Sequence, residues 1–90
     1  MASSGAPTLT AIRRTVFPDA VRVTLELTAE ATYREETLTG PARIFFDFRG
    51  TRAASSLADR TIRFDDDADI VRQVRVGRQP NNTTRVVLFG

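Results

Sequence analysis

Apolar positions along this chain recur with a two-residue period. Val21, Val23, Leu25 and Leu27 alternate with Arg22, Thr24 and Glu26, the pattern of a strand with one buried face. The densest apolar run, Ala42–Phe48, opens after Gly40-Pro41 and closes at Gly50, both turn signals. It is too short for a typical helix and reads as a strand covered on both faces. The same period puts Ile44, Phe46 and Phe48 on one face, expected to be core. Arg43, Phe45 and Asp47 fall on the other, where a guanidinium and a carboxylate flank an aromatic ring. An Arg43–Asp47 ion pair is expected there.

Weaker strand patterns cover Thr10–Val16, Thr32–Leu38, Arg60–Phe64, Ile70–Val76 and Thr83–Leu88. Tyr33 and Leu38 fall on opposite faces of a regular strand, so either a bulge intervenes or each packs separately. Phe17–Ala20, with its Pro18-Asp19, and Gly77–Asn82, around Pro80-Asn81-Asn82, read as turns. Ala53–Ala58 is compatible with a short helix or 3₁₀ turn, and Thr28–Ala31 with a single helical turn. Residues 1–8 are small and polar and read as a flexible leader. Residues 9–90 then form one domain.

An internal similarity organises these strands. Ile12–Leu25 and Val74–Leu88 both read strand, Pro-Asp or Pro-Asn turn, then an apolar-Arg-apolar strand, with Arg22 matching Arg85 and Leu25 matching Leu88. The fold class this implies is all-β, a small β-sandwich of two similar antiparallel sheets. In the first half the hairpin leads on to two further strands. In the second, Thr83–Leu88 leads into nothing, so the second sheet is expected to be incomplete. Its apolar edge at Val86–Phe89 is then expected to drive self-association.

Composition narrows the chemistry. The chain has neither Cys nor His, which removes disulfides, thiolate chemistry and the commonest general base and metal ligand. No apolar run approaches the ~20 residues of a membrane-spanning helix, so no membrane insertion is expected. The first residues lack the basic and apolar regions of a signal peptide. All 13 basic residues are Arg and the net charge is +2. Arg offers planar, bidentate recognition of carboxylates, phosphates and sugars, although a compositional bias explains the absence of Lys as simply. The charge is uneven: Asp65, Asp66, Asp67 and Asp69 form an acidic run, whereas Ile70–Gly90 holds four Arg and no acid.

Most candidate chemistry fails on spacing. A calcium loop starting at Asp65 needs Gly at Ile70 and Glu at Val76, so no metal site is expected and the run reads as a solvated turn. Asn81-Asn82-Thr83 and Asn82-Thr83-Thr84 both match a glycosylation sequon, but the stretch reads better as a polar hairpin turn. Ser55-Ser56 has no His base. Asp47 with Glu26 or Glu35 is a conceivable carboxylate pair, which Arg43 beside Asp47 argues against. The chain is therefore read as no enzyme, with no cofactor. Binding potential rests on arginines, which otherwise read as solvated outer strand faces: Arg75, Arg78 and Arg85 on or beside one expected hairpin, Arg13, Arg14 and Arg22 on its counterpart, and Arg43. Nucleic acid is not expected as a partner, because stacked aromatics interleaved with the arginines are missing apart from Phe45.

Three stretches together resemble an AMIN domain, the non-catalytic module of bacterial N-acetylmuramoyl-L-alanine amidases that also occurs in secretins. They are Leu9–Leu27 with its Arg-Val-x-Leu strand, Tyr33–Gly50 with Gly-Pro-x-Arg-Ile-Phe-Phe-Asp-Phe, and Ile70–Leu88 with Val-Arg-Val-Gly followed by Thr-Arg-Val-Val-Leu. The resemblance implies a periplasmic protein whose signal peptide lies outside this chain. It implies peptidoglycan binding, through glycan strands or stem peptides, that places a zinc amidase at the septum for cell-wall remodelling and daughter-cell separation. The alternative it leaves is a protein–protein adaptor of a secretin or divisome assembly. On either reading Arg22, Arg43, Arg75, Arg78 and Arg85 are the expected ligand-binding residues.

Overall fold

A computed structural model describes residues 6–64 and 71–90. Eight strands follow one another: β1 (Thr8–Phe17), β2 (Ala20–Leu27), β3 (Tyr33–Leu38), β4 (Arg43–Arg49), β5 (Arg52–Ala53), β6 (Thr61–Arg63), β7 (Gln73–Gln79) and β8 (Thr83–Phe89). They form a three-stranded sheet, β2-β1-β5, packed on a five-stranded sheet, β3-β4-β8-β7-β6. This is the expected all-β sandwich. The two similar hairpins are β1–β2 and β7–β8, one in each sheet. Every pairing is antiparallel except that of β5, which runs parallel to β1.

The alternation read from the sequence sets the core. Val74 and Val76 of β7, Val86 of β8 and Phe48 of β4 point from the large sheet towards Leu9 of β1. Ile12, Leu25 and Leu27 of the small sheet pack around them. Thr84 is the polar member of this layer, and its hydroxyl donates to the Thr51 carbonyl at 2.6 Å. A buried hydroxyl without such an acceptor costs on the order of 1–3 kcal/mol, so this bond ties β8 to the segment entering β5. The small sheet covers only part of the large one. Beyond the contact, the tip of the β1–β2 hairpin leaves Val16 and Phe17 exposed.

Several local expectations need correction. β8 is not an edge: β4 pairs along one flank and β7 along the other, from Thr83 to Phe89. The expected route to self-association through Val86–Phe89 is therefore closed. The sequence similarity concealed this because β4, from the first half, crosses to the sheet of the second half. No bulge interrupts β3, whose register against β4 is regular. Tyr33 packs on the Phe46 and Phe48 rings, while Leu38 lies across from Arg43 on the opposite face. The irregularity falls instead in β1, between Leu9 and Ala11.

At Ala53–Ala58 the turn alternative holds and the helix does not. Leu57 and Ala58 both donate their N–H to the Ala54 carbonyl, which closes a turn, and the preceding Arg52–Ala53 is a short strand. β1 begins at Thr8, and Arg52 donates its N–H to Pro7, so the sheet reaches into the segment read as a leader. The acidic run Asp65–Asp69 lies outside the described residues.

Two turns rest on backbone conformations that few residues tolerate. Asn81 and Asn82 have φ of 65° and 54°, the left-handed region that Asn and Gly accept most readily. This accounts for Asn-Asn in the β7–β8 turn without glycosylation. Gly40, with φ of 71°, turns the chain between β3 and β4.

Leu9 is wholly buried and bridges the two sheets, so Leu9→Ala is expected to cost about 2–5 kcal/mol. Val16→Ala at the hairpin tip is expected to change stability by less than ~0.5 kcal/mol. Urea denaturation of both variants measures the contrast, and equal losses would contradict the placement of the core.

Candidate ligand-binding face

The outward face of the large sheet is a grid fixed by strand register. One row across it reads Arg34, Asp47, Arg85, Gly77 on β3, β4, β8 and β7. The next reads Glu36, Phe45, Val87, Arg75, and the third Leu38, Arg43, Phe89, Gln73. Arg49, Thr83 and Gln79 continue the grid on the other side. Over these four strands five arginines face two carboxylates, Glu36 and Asp47.

Asp47 and Arg85 form the centre of this face. The guanidinium donates from Nε to one carboxylate oxygen at 2.7 Å and from Nη2 to the other at 2.9 Å, the bidentate geometry that makes Arg–carboxylate pairs strong and directional. The same guanidinium lies 4.3 Å above the Phe45 ring, and that of Arg34 lies 6.0 Å from it. Under these two groups Phe45 is only 7% exposed although it points away from the inter-sheet core. It is thus better buried than Phe46, which the alternation placed inside. A planar cation can cover an aromatic face without giving up its remaining donors to water.

The hydrogen bonds from Arg85 hold the Asp47 carboxyl below its ordinary value of 3.8, opposed by partial burial and assisted by the charges of Arg85 and Arg34. The same pair raises the pKa of Arg85, so the guanidinium stays charged throughout the physiological range.

The expected binding residues divide. Arg43, Arg75 and Arg85 stand on this one face, around a hollow of about 320 Å³ floored by Phe45, Gly77 and Val87. Arg43 donates to the Pro41 carbonyl at 2.8 Å and is not the partner of Asp47, which Arg85 takes instead. Arg78 points away from this face and pairs with Asp59 at 2.9 Å. Arg22 belongs to the small sheet, with its guanidinium 5.0 Å from the Phe17 ring. Glu26, considered with Asp47 as a carboxylate pair, is bound to Arg13 on the small sheet.

Sequence reasoning missed Arg34 and Arg49, and it put Gly77 in the turn, whereas β7 continues to Gln79 and pairs Gly77 with Arg85. Arg34 and Arg49 adjoin Asp47, Arg85 and Tyr33 in a second hollow of about 630 Å³. The signal for Arg34 was present, since it shares the parity of Leu38 in β3 only if that strand has no bulge.

A family model, the AMIN domain, matches residues 11–90. The chain belongs to the AMIN domain family. Comparison with curated proteins and with solved structures gives no match. AMIN domains are non-catalytic modules of amidases and secretins, associated with peptidoglycan and found in secreted periplasmic proteins. The grid agrees with a non-catalytic role: its two carboxylates are each held by an arginine.

Because the Asp47 carboxyl is held below 3.8 in the folded state, the pair stabilises the AMIN domain at neutral pH. That contribution is fully present above the unfolded value and is lost as pH falls through the folded one. Asp47→Asn is expected to destabilise the domain at pH 7 by about 1–2 kcal/mol, discounted for partial solvation. It should also flatten the loss of stability below pH ~4. Denaturant melts of both proteins from pH 7 to pH 2.5 read the difference, and parallel curves would contradict the assignment.

Proposed function

We propose that this AMIN domain is a peptidoglycan-binding module that targets a periplasmic N-acetylmuramoyl-L-alanine amidase to the septum. On this reading it binds through the outward face of the large sheet and does no chemistry itself. Hydrolysis in cell-wall remodelling and daughter-cell separation belongs to a zinc amidase domain of the parent, since this chain has no His or Cys to hold zinc. The observation that carries the reading is the convergence of Arg43, Arg75 and Arg85 from three neighbouring strands around one hollow. Peptidoglycan offers free carboxylates on its stem peptides and hydroxyls on its sugars, and both suit guanidinium donors. The excess of arginine over acid on this face favours a polyanionic partner.

Retention on purified sacculi tests the proposal. Replacing Arg43 and Arg75 together by Gln is expected to weaken retention by about tenfold, the scale of two solvated ion pairs, and added salt is expected to weaken it further. Among the described residues neither side chain has a carboxylate partner, so the variant is expected to melt close to the parent protein. Arg22→Gln, on the other sheet, is expected to leave retention unchanged. A module that instead serves only as an adaptor to a secretin or divisome protein would ignore bare sacculi, and that result would overturn the proposal.

A further inference from the structure

Gly77 sits in the middle of β7, where a glycine weakens a strand because it has more conformational freedom to lose and no side chain to pack. Glycines in strands usually earn their place by a left-handed φ or by the close approach of another part of the chain. Neither applies here. Gly77 has no left-handed φ, and a Cβ built on it meets no atom within 4 Å. Its strand neighbour on the same face is Arg75, its partner across β8 is Arg85, and all three border the same hollow. The open space above Gly77 is therefore a floor between two guanidinium groups, kept clear of side chain although the fold itself does not require it.

We propose that this space is the subsite for a free peptide carboxylate, and that Gly77 determines specificity by admitting it. The inference rests on the reading of the face as the peptidoglycan-binding surface and names the part of that polymer recognised, the stem peptide rather than the glycan. Asp47 engages Nε and Nη2 of Arg85, and among the described residues no acceptor takes Nη1, which can donate to a ligand. Arg75 has no carboxylate partner among the described residues, and its guanidinium lies 5.8 Å from the Phe89 ring. Two cations beside a bare stretch of backbone suit a small planar anion. A sugar ring would need an open aromatic face to stack on. Phe45 and Phe89 beside the hollow already carry guanidinium groups.

Three measurements test this. Gly77→Val adds a β-branched side chain to a strand position with open space, so the variant is expected to melt at or above the temperature of the parent protein. It is expected to lose retention on sacculi by about tenfold or more. In the unaltered protein, titration with a stem tetrapeptide ending in a free carboxylate is expected to shift the Gly77 and Arg75 amide resonances. The same peptide ending in a carboxamide should bind several-fold more weakly. Unchanged retention by Gly77→Val, while the Arg43/Arg75 double variant loses it, would overturn the Gly77 subsite and leave the binding face standing. Unchanged retention by both would overturn the face itself. Equal binding of acid and amide peptides would also defeat the carboxylate assignment, and the titration needs no variant to fold.

Discussion

The outward face of the large sheet depends on the bidentate pair between Asp47 and Arg85. Two parallel hydrogen bonds fix the guanidinium plane, and the fixed plane lies on Phe45. Without the carboxylate the arginine would be one more mobile surface side chain, and a phenylalanine in the middle of a solvent-facing sheet would be bare. With it, an aromatic ring is buried on the wrong side of a sandwich. The remaining donors of Arg85 are held where a ligand could reach them. One interaction thus orders the floor and one wall of the hollow together.

The position of Gly77 follows from the same pair. Arg85 is held by a residue on β4, away from β7, so nothing needs to support it from the β7 side. The strand there is free to be bare. A larger residue would meet no clash there, since a Cβ at Gly77 has no atom within 4 Å, and it would narrow the hollow. On the proposed reading of this face, glycine at a position where the fold would accept more is an instance of function opposing local stability.

How much of this was legible in the sequence can be argued residue by residue. The clean alternation of Val21–Leu27 and the aromatic run at Ile44–Phe48 gave strands, faces and the sandwich, because a two-residue period leaves little ambiguity once one face is apolar. The two Pro-Asx turns gave the hairpins. Strand partnership was not legible, because period and turn chemistry constrain neighbours in sequence and say nothing of which distant strand lies alongside. For that reason Asp47 was assigned to Arg43, two strand steps away on its own face, when its partner was 38 positions further on. Arg22 and Arg85, alike in local sequence, were grouped for the same reason, though register sends them to different sheets. β5, two residues long and paired in parallel, has no period from which it could be read.

The position of β8 in the sheet and in the chain has a consequence for how the domain is made. β4 carries three phenylalanines and lies in the interior of the large sheet. One of its two flanking partners, β8, emerges only after β5, β6 and β7. Until then β4 has β3 alone, a polar edge, and the valines of β7 have only the three residues of β6. The fold is therefore dominated by contacts that close late and over long separations, which slows folding and prolongs exposure of apolar strands. A chain interrupted before Thr83 would lose the strand that joins its two halves. Completion of β8 is thus the step at which a growing chain becomes a domain.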